Sequence, residues 1–298
     1  MVMLPPSADP QSYVPFPDFS RGAEYLATEG SSSYNSLQAT FQRRFGAGLS
    51  FLGNYTYGKC RTDAPDIFVA GETGGYRAPD LPGFGIQPDY GLCVFDIRQV
   101  VHFAGTYQLP FGNGKPFLHA SSGVVNQLVG GWSVNWILTL QDGQPFTIPC
   151  ATSTTAAFGC NALFVPGVNP IGGPHNVDQW MNPAAFATPP VATTVGQQDF
   201  APLGGAPGQV VGPGFHRLDL SLFKEFQTSE STRLEFRFEI FNLTDTPNFS
   251  VPGLSGPGVS VPPGVFDYTN VQNFGKITET RDAPNDPRQL QLALKFYF

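Results

Sequence analysis

The sequence has no apolar run approaching the ~18 residues that a spanning helix needs. Its mean hydropathy is −0.10, far from that of a helical membrane protein. Charge is scarce as well. Asp, Glu, Lys and Arg make up 13% of the 298 residues, against roughly 25% in ordinary soluble domains. The net charge is −7 and the Lys and Arg are scattered, so the basic footprint that nucleic acid requires is missing. No two cysteines have CxxC spacing, and no His lies near enough to a Cys to suggest a zinc site. No metal and no cofactor are expected. GxSxG is also missing, and His102, His119, His175 and His216 stand far apart. The chain is therefore expected not to be an enzyme. His102 and His216, both taken to face a lumen, are the weak candidates for a base. "GNGK" (Gly112–Lys115) lacks the spacing of a phosphate loop and is expected to be a turn. Asp282, Asn285 and Asp286 are read as solvated loop residues rather than a Ca²⁺ site.

Aromatic residues, glycine and proline are what the chain has in abundance. Phe alone occurs 27 times, with 34 Gly and 29 Pro. Such a composition implies many turns, long irregular loops and strands with one apolar face. On composition alone, a large soluble all-β domain fits equally well.

Alternation sharpens this. A transmembrane strand carries a two-residue repeat over ~10 residues, apolar toward lipid and polar toward the lumen. The clearest case is 232–240. Leu234, Phe236, Phe238 and Ile240 fall on one face, Arg233, Glu235, Arg237 and Glu239 on the other. The segment 288–298 repeats it, with Leu290, Leu292, Leu294, Phe296 and Phe298 opposed to Gln289, Gln291, Ala293, Lys295 and Tyr297. Five further segments alternate: Trp132–Gln141 with Ile137 as an exception, Val101–Leu109, Leu49–Tyr57, Arg217–Leu222 and, more weakly, Tyr34–Arg44. A soluble domain rarely ends on a fully apolar strand face, because termini fray, and this chain stops on Phe298.

The connections alternate too. Short turns are expected at Phe45–Gly48 and Gln227–Glu230, with a medium link at 111–129. Long Gly/Pro-rich loops are expected at about 61–94, 151–213 and 246–286. Short periplasmic turns and long outer loops are how outer-membrane barrels are built. Phe45, Tyr107, Phe111, Trp132, Phe226 and Phe296 then fall near the periplasmic interface, Tyr55 and Tyr57 near the outer one. For the hairpin between 216 and 240, a turn centred on Thr228 sets Leu220 opposite Phe236 and Leu218 opposite Phe238. It also pairs Arg217 with Glu239 and Asp219 with Arg237, whereas a two-residue shift would oppose Asp219 and Glu239. The first register is expected.

Seven segments resemble one known family. "SYNSLQATFQRRFGAGLSFLGNYTYGK" (Ser33–Lys59), "FDIRQVVHFAGTYQLPFGNGK" (Phe95–Lys115), "GGWSVNWILTLQDGQPFTI" (Gly130–Ile148) and "WMNPAAF" (Trp180–Phe186) are similar to segments of Oar-like TonB-dependent receptors. So are "GPGFHRLDLSLFKEF" (Gly212–Phe226), "LEFRFEIFNLTDTPNF" (Leu234–Phe249) and "DPRQLQLALKFYF" (Asp286–Phe298). They occur in the family's order. The resemblance implies a barrel of about 22 strands around a plug, of which this chain supplies about the last seven. The expected fold is thus all-β, an antiparallel meander of transmembrane strands forming the C-terminal part of a large outer-membrane barrel. Residues 1–21 are expected to be an irregular outer-loop remnant and 22–298 the barrel portion, with the Tyr34–Arg44 segment extending back toward Glu24.

The resemblance also implies partners. These are outer-membrane lipid, a missing N-terminal barrel and plug, the barrel assembly machinery reading Phe296 and Phe298, and TonB only through the absent N-terminal region. The opening MVMLPPSADP has neither a basic nor an apolar signal region, and the export signal is expected to lie in the missing part. Localisation in the outer membrane follows, with ligand uptake through a lumen lined by Arg217, Asp219, Arg233, Glu235, Arg237 and Glu239. The four cysteines suit disulfides in an oxidising compartment, expected as Cys60–Cys93 and Cys150–Cys160. The alternative is a soluble or surface-attached β-sandwich that binds carbohydrate or protein.

Overall fold

The computed structural model describes residues 30–46, 48–63, 90–119, 123–151, 161–189, 204–229, 232–253, 262–281 and 286–298. Residues 22–29, where β1 was expected to begin, lie outside them. Seven long strands form: β1 (Ser32–Arg44), β2 (Leu49–Thr62), β4 (Gln99–Gln108), β5 (Trp132–Gln141), β10 (Phe215–Gln227), β11 (Arg233–Phe241) and β12 (Gln289–Tyr297). Each pairs antiparallel with the next in a single sheet of order β1-β2-β4-β5-β10-β11-β12, and the short β3 (Gly91–Leu92) adds to the outer end of β2. The sheet is open, with β1 and β12 as its edges.

The registers align every apolar row. Leu37 lies opposite Tyr57, Phe51 opposite Gly105 and Phe103 opposite Leu138. Leu138 lies opposite Leu218, Leu222 opposite Phe238 and Phe238 opposite Leu292. Side chains alternate across a strand, so all seven rows share one face and the polar rows share the other. A one-residue slip anywhere would break this. An aromatic stripe crosses the apolar face, with ring centroids 5.6 Å apart for Phe41–Phe51, 5.5 Å for Phe51–Phe103 and 6.0 Å for Phe103–Trp136. Gly105 makes room for it, since a Cβ there would stand 2.1 Å from the Trp136 indole.

No second layer covers these rows among the described residues. Leu292 is 68% exposed and Leu37 64%. The packed core lies elsewhere, in the connections. Phe146, Ile148, Ala162, Met181, Ala185, Phe186, Val210, Tyr268 and Phe274 form it, and none belongs to a long strand. The links 63–98, 142–214 and 242–288 all leave from one end of the sheet. The second link folds on itself through two short strand pairs, β6 (Pro145–Phe146) with β9 (Val210–Val211) and β7 (Leu163–Phe164) with β8 (Phe186–Ala187), and the third bonds to it. The Trp180 N–H donates to Gly275 O at 3.0 Å, and the Ile277 N–H to Val177 O at 2.8 Å. The Tyr268 hydroxyl accepts from the Ala151 N–H at 3.2 Å. The long links are thus a folded cap.

The opposite end carries the short links. The Phe45 N–H donates to Leu49 O at 2.8 Å, closing the first. The β4–β5 link contains an element that the sequence did not announce, α1 (Gly123–Val129); seven residues are too few for a helical repeat to stand out.

The β10–β11 register differs from the expected one. Leu220 faces Ile240, Leu222 faces Phe238 and Glu225 faces Glu235. The turn therefore centres on position 230, not 228. The Thr228 N–H and Oγ1 donate to Thr232 O at 3.1 and 2.9 Å, and Ser229 Oγ bonds Thr232 Oγ1 at 2.7 Å. Both registers keep apolar against apolar, so hydrophobic matching does not choose between them. Turn chemistry does, and it outweighs cross-strand charge pairs worth ~0.2–1 kcal/mol each. Two ion pairs form along their own strands instead, Arg217 with Asp219 and Arg237 with Glu235.

Candidate functional site

The six charged residues singled out in the sequence all lie on the polar face. On β10, Arg217 Nε donates to Asp219 Oδ1 at 2.9 Å. On β11, Arg237 donates to Glu235, and its guanidinium lies 4.9 Å from the Phe223 ring. Arg233 stands over Tyr297 at 4.5 Å. Glu239 sits between Ser221 and Gln291 in the adjacent strands. Two residues apart on a strand is the shortest same-face spacing, and an Arg side chain spans it. His102 shares this face, with Nδ1 3.2 Å from Thr139 Oγ1. His216 does not. It faces Leu140 and belongs to the apolar row at its outer end, because it has the same parity as Leu218. Its expected lumen position is corrected.

Where the cap meets the outer ends of β4, β5 and β10 lies a cavity of about 440 Å³. This falls within the ~300–1,000 Å³ of ligand sites. Asp96 and Arg98 reach it from the first loop, His175 and Trp180 from the second, and Gln141 and Asp142 from the end of β5. Leu92, Pro145, Ile171 and Val211 make its apolar walls.

The backbone fixes these groups. The Asp96 carboxylate accepts the Cys60 N–H at 2.6 Å and lies 3.6 Å from the Arg98 guanidinium. Arg98 Nε is buried and has no hydrogen-bond partner, so a donor is left over. The Trp180 indole N–H donates to Val211 O at 3.2 Å. The His175 ring packs on the Trp180 ring, centroids 3.9 Å apart, with Nδ1 3.0 Å from Trp180 O. The arrangement sets a flat aromatic wall beside a carboxylate–guanidinium pair. Periodicity could not find it, because loops have none. The sequence signals were the family-like segments that contain its residues: Phe95–Lys115 with Asp96 and Arg98, Gly130–Ile148 with Gln141 and Asp142, and "WMNPAAF", which begins at Trp180.

Cys60 and Cys93 form a disulfide, Cα atoms 5.4 Å apart, at the root of the first loop beside Asp96. Cys150 is also disulfide-bonded; Cys160 lies outside the described residues. Phe296 and Phe298 stack with centroids 6.2 Å apart at the short-link end. GNGK is a turn, closed by the Lys115 N–H on Gly112 O at 3.0 Å. Asp282 and Asn285 lie outside the described residues; Asp286 accepts from Thr280 Oγ1. Among the described residues, no three His, Cys, Asp or Glu cluster in a way that could hold a metal.

Comparison with curated proteins and with solved structures gives no match. The family described as outer membrane beta barrel domain matches residues 3–291. Seven antiparallel strands, one exposed apolar face and long loops at one end are the features such a domain needs, and the apolar rows are those that lipid covers. The chain belongs to the outer membrane β-barrel family and resides in the outer membrane.

Proposed function

We propose that the chain forms part of the wall and the outer mouth of a TonB-dependent receptor-like barrel that captures a ligand from outside and admits it to the lumen. The observation that carries this reading is the cap. Its own apolar core and the cavity beneath it form a preorganised receptor surface instead of loose connections. Arg217, Asp219, Arg233, Glu235, Arg237 and Glu239 line the path below it. The resemblance of seven ordered segments to Oar-like receptors supports the same reading.

The open edges support the proposed partner. Seven strands alternate in direction, so β1 and β12 run the same way. Joining them to each other would require a parallel seam. An odd number of added strands closes the sheet with antiparallel pairs throughout, giving the even total usual in such barrels. An N-terminal barrel segment with its plug meets that condition. The sandwich alternative needs a second layer over the apolar rows, which stay exposed among the described residues.

The test is crosslinking in intact cells of the source organism, with a tag in the outer cap. Recovery of a plug-bearing polypeptide, continuous with this chain or separate, together with TonB is the expected result. Recovery of an unplugged pore that never contacts TonB would overturn the receptor reading and leave the barrel standing.

A further inference from the structure

The described parts of the β4–β5 link, residues 109–119 and 123–131, place apolar side chains the wrong way round for water. In α1, Val124 and Leu128 are one turn apart and outward, 75% and 64% exposed, and Val125 lies beside them at 53%. Asn126 points inward instead, its side-chain oxygen accepting the Asn113 N–H at 2.6 Å. A helix on a water-facing surface shows the opposite pattern. Phe117 and Leu118 in the same link are also exposed. Lys115 is the only Lys or Arg in 109–131, and there is no Asp or Glu.

The link is fastened to the lipid side of the sheet. The indole N–H of Trp132, in the apolar row of β5, donates to Leu128 O at 2.9 Å. Lys224, in the apolar row of β10, donates to Gly130 O and is only 2% exposed. Its ammonium lies 5.4 Å from the Trp132 ring centroid and 5.0 Å from that of Phe226. The Glu225 N–H donates to Gly131 O at 3.1 Å. Gly131 allows this approach: its φ is +72°, and a Cβ would stand 2.8 Å from Glu225 O. The chain thus passes over Lys224 on the side where lipid lies, at the end of the sheet opposite the cap.

We propose that this link is an interfacial anchor, with α1 lying in the headgroup–acyl boundary of the periplasmic leaflet and Val124, Val125 and Leu128 directed into the acyl chains. The occupant of this face is lipid, because the face continues the apolar rows of the barrel and has no charge for a polar partner to read. Such helices sit ~5–10 Å into the boundary. The link also screens the one lysine of the β10 apolar row from hydrocarbon.

Depth-resolved quenching tests the proposal. The protein is extracted from outer membranes with whatever chain completes its sheet, its disulfides intact. It is then reconstituted in phosphatidylethanolamine–phosphatidylglycerol vesicles. An environment-sensitive dye is attached to a cysteine introduced at Val124, Val125 or Leu128, each in a separate protein. Leu138, in the middle of the β5 apolar row, is the reference. Lipids brominated near the headgroup should quench the three link positions more than lipids brominated near the chain end do, and the order should reverse at Leu138. Quenching at Leu138 with none at the three link positions overturns the anchor and leaves the barrel intact, since it means water or protein covers the helix. No quenching at any of the four overturns both.

Discussion

The carboxylate of Asp219 accepts the backbone N–H of Asn242 at 2.8 Å, and this bond fixes where β11 ends and the cap begins. Asn242 has φ +51° and is 1% exposed. Its side chain donates to Thr246 O at 3.0 Å and Asp286 O at 2.6 Å and accepts the Thr246 N–H at 3.1 Å. The Leu243 N–H donates to Leu218 O at 2.7 Å. One residue therefore joins β10, β11 and the approach to β12.

Asn242→Ala should cost about 2–3 kcal/mol, since it strands buried backbone groups and puts a poor residue in the left-handed region. Asn242→Gly should recover the backbone part only. Urea titration of the folded, heat-modifiable form on gels measures both. A loss below a few tenths of a kcal/mol would contradict the role assigned to the side chain.

The two faces should respond oppositely to charge. Phe238→Arg lies on the apolar face amid the sheet and should destabilise by about 2–4 kcal/mol. Ser221→Arg lies on the polar face of the neighbouring strand and should fall within about 0.5 kcal/mol of the parent. The same titration checks both. Equal costs would show that the faces are not in different solvents.

Cys60→Ser should loosen the root of the first loop. Closing a loop with sequence separation 33 constrains the unfolded chain by about 3–4 kcal/mol. Faster proteolytic cutting within 63–98, with the sheet still heat-modifiable, is the expected pattern. Unchanged cutting would show that the loop is held by its other contacts alone.

Lys224→Met should remove a donor from the buried Gly130 carbonyl and lower stability by about 1–2 kcal/mol, despite placing a more apolar residue in an apolar row. Lys224→Arg keeps a donor and should lose less. Urea titration distinguishes them, and a gain in stability for Lys224→Met would show that the lysine is a burden.

The strands were legible because each carries its own two-residue period. Leu234 through Ile240 and Leu290 through Phe296 announce a face without reference to any neighbour. The cavity at Asp96, Arg98, His175 and Trp180 was not. Its residues come from positions as far apart as 92 and 214, and no local pattern ties them together. His216 was misplaced although its parity with Leu218 already set it on the apolar row, because it lies just outside the Arg217–Leu222 alternation.

By itself the sequence determined that seven segments alternate and that long and short links succeed each other, because side-chain parity and turn composition are local properties. The tertiary structure alone decided which residue of β10 meets which of β11. That choice rests on hydroxyls of Thr228, Ser229 and Thr232 gathered in one turn, and parity is silent about it. The tertiary structure also decided that the long loops fold into a cap with its own core. Burying Phe146, Met181 and Phe274 together depends on segments that meet only once the strands have brought their ends to one rim.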